Sequence, residues 1–68
     1  MIYKIRLGEY DKDLIESIQD EHTELVEGIY ELYDSLYVNG FCESYSRARI
    51  HYVAYTLAKN NIDFEIMG

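Results

Sequence analysis

The stretch Asp13–Tyr37, DLIESIQDEHTELVEGIYELYDSLY, decides the fold. Ile15, Ile18, His22, Leu25, Ile29, Leu32 and Leu36 recur in it at alternating steps of three and four. Asp13, Glu16, Asp20, Glu24, Glu27, Glu31 and Asp34 recur in the same way, and every member is a carboxylate. Such steps keep residues on one side of an α-helix. The spacing therefore predicts one helix from Asp13 to about Val38, with an apolar seam on one side and an unbroken acidic stripe on another. Its length would be about 37 Å. Gly28 falls inside it and marks a bend or a close backbone approach. Asn39-Gly40 supplies the stop, since either residue takes the left-handed conformation that closes a helix.

Working outward, both ends of the chain alternate as strands do. Met1, Tyr3, Ile5 and Leu7 fall on one side and Ile2, Lys4 and Arg6 on the other. Ile62, Phe64 and Ile66 likewise oppose Asp63, Glu65 and Met67. The polar face of the first segment is basic and that of the second acidic, which favours placing them side by side as an antiparallel pair. Asp11 or Asp13 is placed to cap the long helix. Phe41–Tyr45 reads as a turn, and Ser44 as the cap of a second helix running to about Lys59. That helix is apolar on two sides, through Ile50, Val53, Ala54 and Leu57, and through Tyr45, Ala48, Tyr52 and Tyr55. The expected fold is α+β in the order β-α-α-β: a two-stranded antiparallel sheet from the chain ends, packed against a helical hairpin.

Sixty-eight residues make one small domain, and a core of this size is marginal alone. A single cysteine, Cys42, excludes an intramolecular disulfide and fits a reducing compartment. No apolar run approaches the roughly 18 residues of a membrane span. These features place the protein in the cytoplasm. Thirteen acidic side chains against six basic ones give a net charge of −7. That balance argues against nucleic acid or an anionic membrane as a direct ligand, because phosphate recognition needs cations. It fits a basic protein partner.

Three groups of residues are candidates for function. The seven carboxylates of the stripe are either a solvated helix face, as charge runs commonly are, or the partner-binding surface. Charge of one sign at a repeat of about 5 Å approaches the spacing of backbone phosphates, so the stripe would suit a cleft built for nucleic acid. The tyrosines Tyr30, Tyr33 and Tyr37 of the long helix and Tyr45, Tyr52 and Tyr55 of the second are expected either to pack as a core between the helices, hydroxyls at its rim, or to form the self-association surface, since Tyr serves interfaces well. His22 replaces an aliphatic residue in the seam and is read as packing, and His51 as a rim residue. Neither belongs to a metal-ligand spacing.

The pattern Asp20-Glu21-x-x-Glu24 followed by Glu31-x-x-Asp34 resembles the carboxylate pairs of the all-α, magnesium-dependent nucleotide pyrophosphatases. In that family the pairs face each other from different helices. On one helix they could not converge, and the resemblance is set aside. No glycine-rich phosphate loop or nucleophile motif occurs. The expected function is non-enzymatic and cofactor-free. It is a small acidic protein-binding module, an inhibitor of a basic nucleic-acid-handling protein acting by mimicry. In size and charge, though not in sequence, it resembles virus-encoded inhibitors of host enzymes or defence systems. The alternative is a structural or regulatory homo-oligomer held by tyrosine contacts.

Overall fold

A computed structural model of the protein describes residues 1–22 and 28–67, the side chain of His22 excepted. Strand β1 (Tyr3–Leu7) buries Ile5 and Leu7 and turns Arg6 to solvent, as its alternation requires. Asp11 then caps α1 (Lys12–His22): its carboxylate accepts from the Asp13 N–H at 2.9 Å, and its carbonyl accepts from the Ile15 N–H. Helix α2 (Ile29–Asn39) starts after Gly28 and ends at Gly40, both in the left-handed region at φ 83° and 79°. Gly40 donates to the Leu36 carbonyl at 3.0 Å, and the Tyr10 ring lies where a Cβ on it would point.

The single long helix of the sequence reading is thus two helices. They run antiparallel: the Gln19 side-chain amide donates to the Tyr30 carbonyl, the Lys12 ammonium lies over the Tyr37 ring, and Tyr10 packs at Gly40. Their residue numbers rise on one helix as they fall on the other. A continuous helix of about 37 Å would outrun a fold whose longest dimension is 31 Å. The break costs the seam nothing, because each half keeps its own period: Ile15 and Ile18 on α1, and Ile29, Leu32 and Leu36 on α2, enter one core.

The sheet has three strands. Gly40 turns the chain back so that β2 (Phe41–Ser44), read from sequence as a turn, pairs antiparallel with β1, Ile5 opposite Cys42. Helix α3 (Arg47–Lys59) follows, and its cap is Ser46, two residues later than expected. Ser46 Oγ accepts from the Arg49 N–H at 3.2 Å, while Ser44, still in β2, only receives the Ser46 N–H. After α3 the chain reverses through Asn60 and Asn61, and the Ile62 N–H returns to the Leu57 carbonyl. Strand β3 (Phe64–Met67) then pairs antiparallel with the other side of β1, Arg6 opposite Glu65.

The order across the sheet is β2-β1-β3, so the first strand is the central one. The α+β class and the pairing of the two chain ends stand. The two-stranded sheet and the β-α-α-β order give way to β-α-α-β-α-β. All three helices contribute to a core on one face of the sheet, with Ile5, Ile15, Ile29, Leu36, Ile50 and Leu57 fully enclosed. The other face is solvated, a common arrangement for an antiparallel sheet. It carries Lys4 over the Phe41 ring at 4.3 Å and an ion pair between Arg6 and Glu65.

Candidate functional site

The fold divides the seven carboxylates of the expected stripe. Asp13, Glu16 and Asp20 lie on α1, and Glu31 and Asp34 on α2; all five are exposed. Glu24 and Glu27 lie outside the described residues. From Asp13 to Asp20 is about 10 Å along the helix axis, so one row of about 30 Å is replaced by two short rows on antiparallel helices. Both rows face outward for one reason. The apolar seam of each helix is turned to the core, and residues three, four and seven apart on the opposite side follow it into water.

Charge along the chain is segregated, a feature the periodicity reading passed over. Residues 13–46 hold nine of the thirteen carboxylates and no Lys or Arg. Helix α3 holds Arg47, Arg49 and Lys59 and no carboxylate. Among the described residues, the ion pair is Arg6 with Glu65, so none of the five described stripe carboxylates is neutralised in that way. The order of charged residues in the sequence was the signal that could have found this.

The six tyrosines do not make one surface. Tyr45 is 79% exposed, Tyr55 68% and Tyr30 46%. Tyr37 and Tyr52 are half-buried against the core. Tyr33 is fully enclosed and leaves the expected self-association set. It sits on the inward side of α2 with Ile29, Leu32 and Leu36, where its hydroxyl meets Thr56 of α3. Burial pushes the phenol up to about 12, the Thr56 contact partly opposing it. Thr56 in turn donates to the Tyr52 carbonyl at 3.1 Å.

Cys42 is buried in β2, and desolvation pushes its thiol up to about 11, partly offset by a hydrogen bond with the Ile5 backbone. A thiol held protonated and out of solvent is a poor nucleophile. His51 is exposed on α3. His22 closes α1, and its expected packing role concerns a side chain outside the described part. Of the carboxylates resembling those of the pyrophosphatases, Asp20 and Glu21 lie on α1 and Glu31 and Asp34 on the antiparallel α2, with Glu24 outside the described residues, so the ground for setting them aside, a single shared helix, does not hold. Among the described residues, however, no three His, Cys, Asp or Glu side chains come close enough together to hold a cation. Two grooves lie among the described residues, an opening of about 400 Å³ lined by Arg6, Leu7, Gly8, Asp63, Phe64 and Glu65, and one of about 340 Å³ between α1 and α3. Neither gathers a nucleophile, a base and an oxyanion donor, the set that acyl or phosphoryl transfer would need. Among the described residues, no helix is long and apolar enough to cross a membrane.

No protein-family model matches the chain, and no curated protein or solved structure is similar to it.

Proposed function

We propose that the protein is a small, non-enzymatic, cytoplasmic binding module whose α1–α2 hairpin docks on a cationic protein. The observation that carries this reading is the exposure of Asp13, Glu16, Asp20, Glu31 and Asp34 on a hairpin whose one Lys or Arg, Lys12 at the first position of α1, lies over the Tyr37 ring. Ordinary exposed helix faces mix Glu with Lys, because opposite charges three or four apart are favourable and like charges are not. A hairpin that forgoes such pairing keeps its field for another molecule.

The finer form of the reading is inhibition of a nucleic-acid-handling protein by mimicry, with no cofactor required. Two acidic rows on packed helices, whose axes lie roughly 8–10 Å apart, suit a cleft built to receive two phosphate strands across a groove of about 6–12 Å better than one long row would. Binding by charge steering should appear mainly in the association rate. The test is the variant Glu16→Gln, Asp20→Asn, Glu31→Gln, Asp34→Asn, compared with the parent in pull-downs from cell extract and in association kinetics at low and high salt. The variant should bind at least about tenfold more slowly at low salt, with added salt narrowing the gap. Equal association rates at low salt would reduce the hairpin to a solvated surface.

A second reading, a homo-oligomer held by tyrosines, is favoured by the exposure of Tyr45 and Tyr55. Substituting both by Ser and measuring the mass in solution separates the two readings.

A further inference from the structure

The two edges of the sheet are treated differently. On the β1 side, the Leu7 N–H donates to the Gly40 carbonyl and the Gly8 N–H to the Asp63 carbonyl. Antiparallel alternation then fixes every other residue. Ile5 and Leu7 bond toward β2, and Lys4, Arg6 and Gly8 bond toward β3. On β2, Phe41 therefore points its carbonyl outward, and there Ser35 Oγ of α2 donates to it at 2.7 Å. That edge is covered at Phe41, and the exposed Glu43 sets a charge along the rest of it. On β3, Phe64 and Ile66 point their N–H and C=O outward, and among the described residues no hydrogen bond reaches them.

The side chains of this open edge are as unguarded as its backbone. Edge strands are ordinarily protected by lysine, proline or a bulge, and Phe64–Met67 has none of these. Its one charge, Glu65, is already paired with Arg6. Ile66 lies opposite Ile5 on the core face, yet it is 48% exposed while Ile5 is fully enclosed. An aliphatic core position is left without a cover by the helices of its own chain.

We infer that β3 pairs with β3 of a second copy about a two-fold axis, giving one six-stranded antiparallel sheet. The occupant is a second copy because charge selects both the place and the register. The chain carries −7 overall, but the solvated sheet face balances Lys4 and Arg6 against Glu43 and Glu65 and offers two acidic molecules a neutral meeting point. Three registers place the outward residues in hydrogen-bonded pairs. Phe64 opposite Ile66 sets Glu65 against Glu65, and Phe64 opposite Phe64 sets Asp63 against Glu65; like charges directly opposite are unfavourable. Ile66 opposite Ile66 sets Glu65 against Met67 and has no such conflict. In that register Cys42, Ile5 and Ile66 of one copy meet Ile66, Ile5 and Cys42 of the other in one row under the helices. This inference does not depend on the acidic hairpin having a target.

The pairing is tested on the whole chain by sedimentation equilibrium between about 10 µM and 1 mM, a range suited to a small interface. A monomer–dimer equilibrium is expected. Ile66→Lys, an exposed position whose tolerance is checked by circular dichroism, should raise the dimer dissociation constant at least about tenfold. The register has its own variant. Ile66→Cys should be oxidised by dissolved oxygen, which takes up the two electrons and two protons, to a covalent dimer, since directly opposed residues lie about 5.5 Å apart, within disulfide reach. Glu65→Cys, displaced by two positions from its own copy, should not. A monomer throughout the range overturns the inference. So does a dimer indifferent to Ile66→Lys, or one that is lost instead in the Tyr45→Ser, Tyr55→Ser variant. Cross-linking through Glu65→Cys in place of Ile66→Cys overturns it as well.

Discussion

The guanidinium of Arg49, on α3, lies against the backbone of Gly28 at the head of α2, so that a Cβ on Gly28 would stand 2.9 Å from Arg49 Cζ. This contact fastens the hairpin to the third helix at the point where the hairpin's second arm begins. Gly28→Ala meets two obstacles there. The left-handed φ of 83° costs a residue with a Cβ roughly 1–2 kcal/mol, and the arginine must move. A fall in Tm of about 5–10 °C is expected for a chain of this size. Adding Arg49→Ala should return only the steric part, so thermal melts of the single and double variants separate strain from contact. A Gly28→Ala variant as stable as the parent would mean that the break between α1 and α2 lies elsewhere.

Helix α3 offers a test of where its cap sits. Ser46→Ala removes the acceptor of the Arg49 N–H and should cost about 0.5–2 kcal/mol. Ser44→Ala, which removes an acceptor outside the helix, should cost less. Urea titration of the pair decides the order, and a larger loss at Ser44 would move the start of the helix back to where the sequence first suggested it.

Two buried groups make stability fall on the alkaline side. Between about 9 and about 11, the unfolded Cys42 thiol has lost its proton while the folded one keeps it, so each rise in pH favours unfolding. Tyr33 does the same between 10.0 and about 12. Stability from these groups is full below pH 9 and is lost in two stages above it. Cys42→Ala should flatten the first stage and Tyr33→Phe the second, measured as denaturant midpoints against pH. A single stage that survives both substitutions would assign the alkaline loss to other groups.

Electrostatic repulsion within the hairpin has a signature of its own. If the unpaired carboxylates of α1 and α2 oppose folding, salt in the range where screening lengths fall to about 8–10 Å should raise the Tm of the parent. The variant with Glu16, Asp20, Glu31 and Asp34 amidated should respond less and be at least as stable in low salt. A parent that melts at the same temperature with and without salt would show that these charges are too well solvated to matter to the fold.

The parts of the fold that sequence disclosed were those in which pattern and pairing agree. Strands β1 and β3 each alternate, and the opposite charges of Arg6 and Glu65 meet as their faces implied. What escaped was wherever one pattern serves two structures. The seam through Ile18, Ile29 and Leu36 has the same period on one long helix as on two antiparallel ones, and only Gly28 distinguished them. Strand β2 is four residues long, too short for alternation to speak, and a stop at Asn39-Gly40 is as compatible with a turn as with a strand. Tyr33 escaped because tyrosine suits both an interface and a core with a partner for its hydroxyl, and Thr56, twenty-three positions on, became its neighbour only through folding. The acidic residues were legible as exposed; their division into two rows followed from the same break.

The central place of β1 also sets an order in time. Its neighbours on either side are made much later, and the Arg6–Glu65 contact spans 59 positions. Loop closure of that length is slow and must be met before the contact returns anything. On a ribosome the first strand therefore emerges with both edges unpaired and waits. The helical hairpin can form while it does, since its contacts are local, and β2 can then take one side. The other side stays open until residues 64–67 are free. A nascent or truncated chain lacking them would show β1's own edge, with Lys4 and Arg6 upon it, in place of the bare edge of β3. The three-stranded sheet is complete only once β3 has been made.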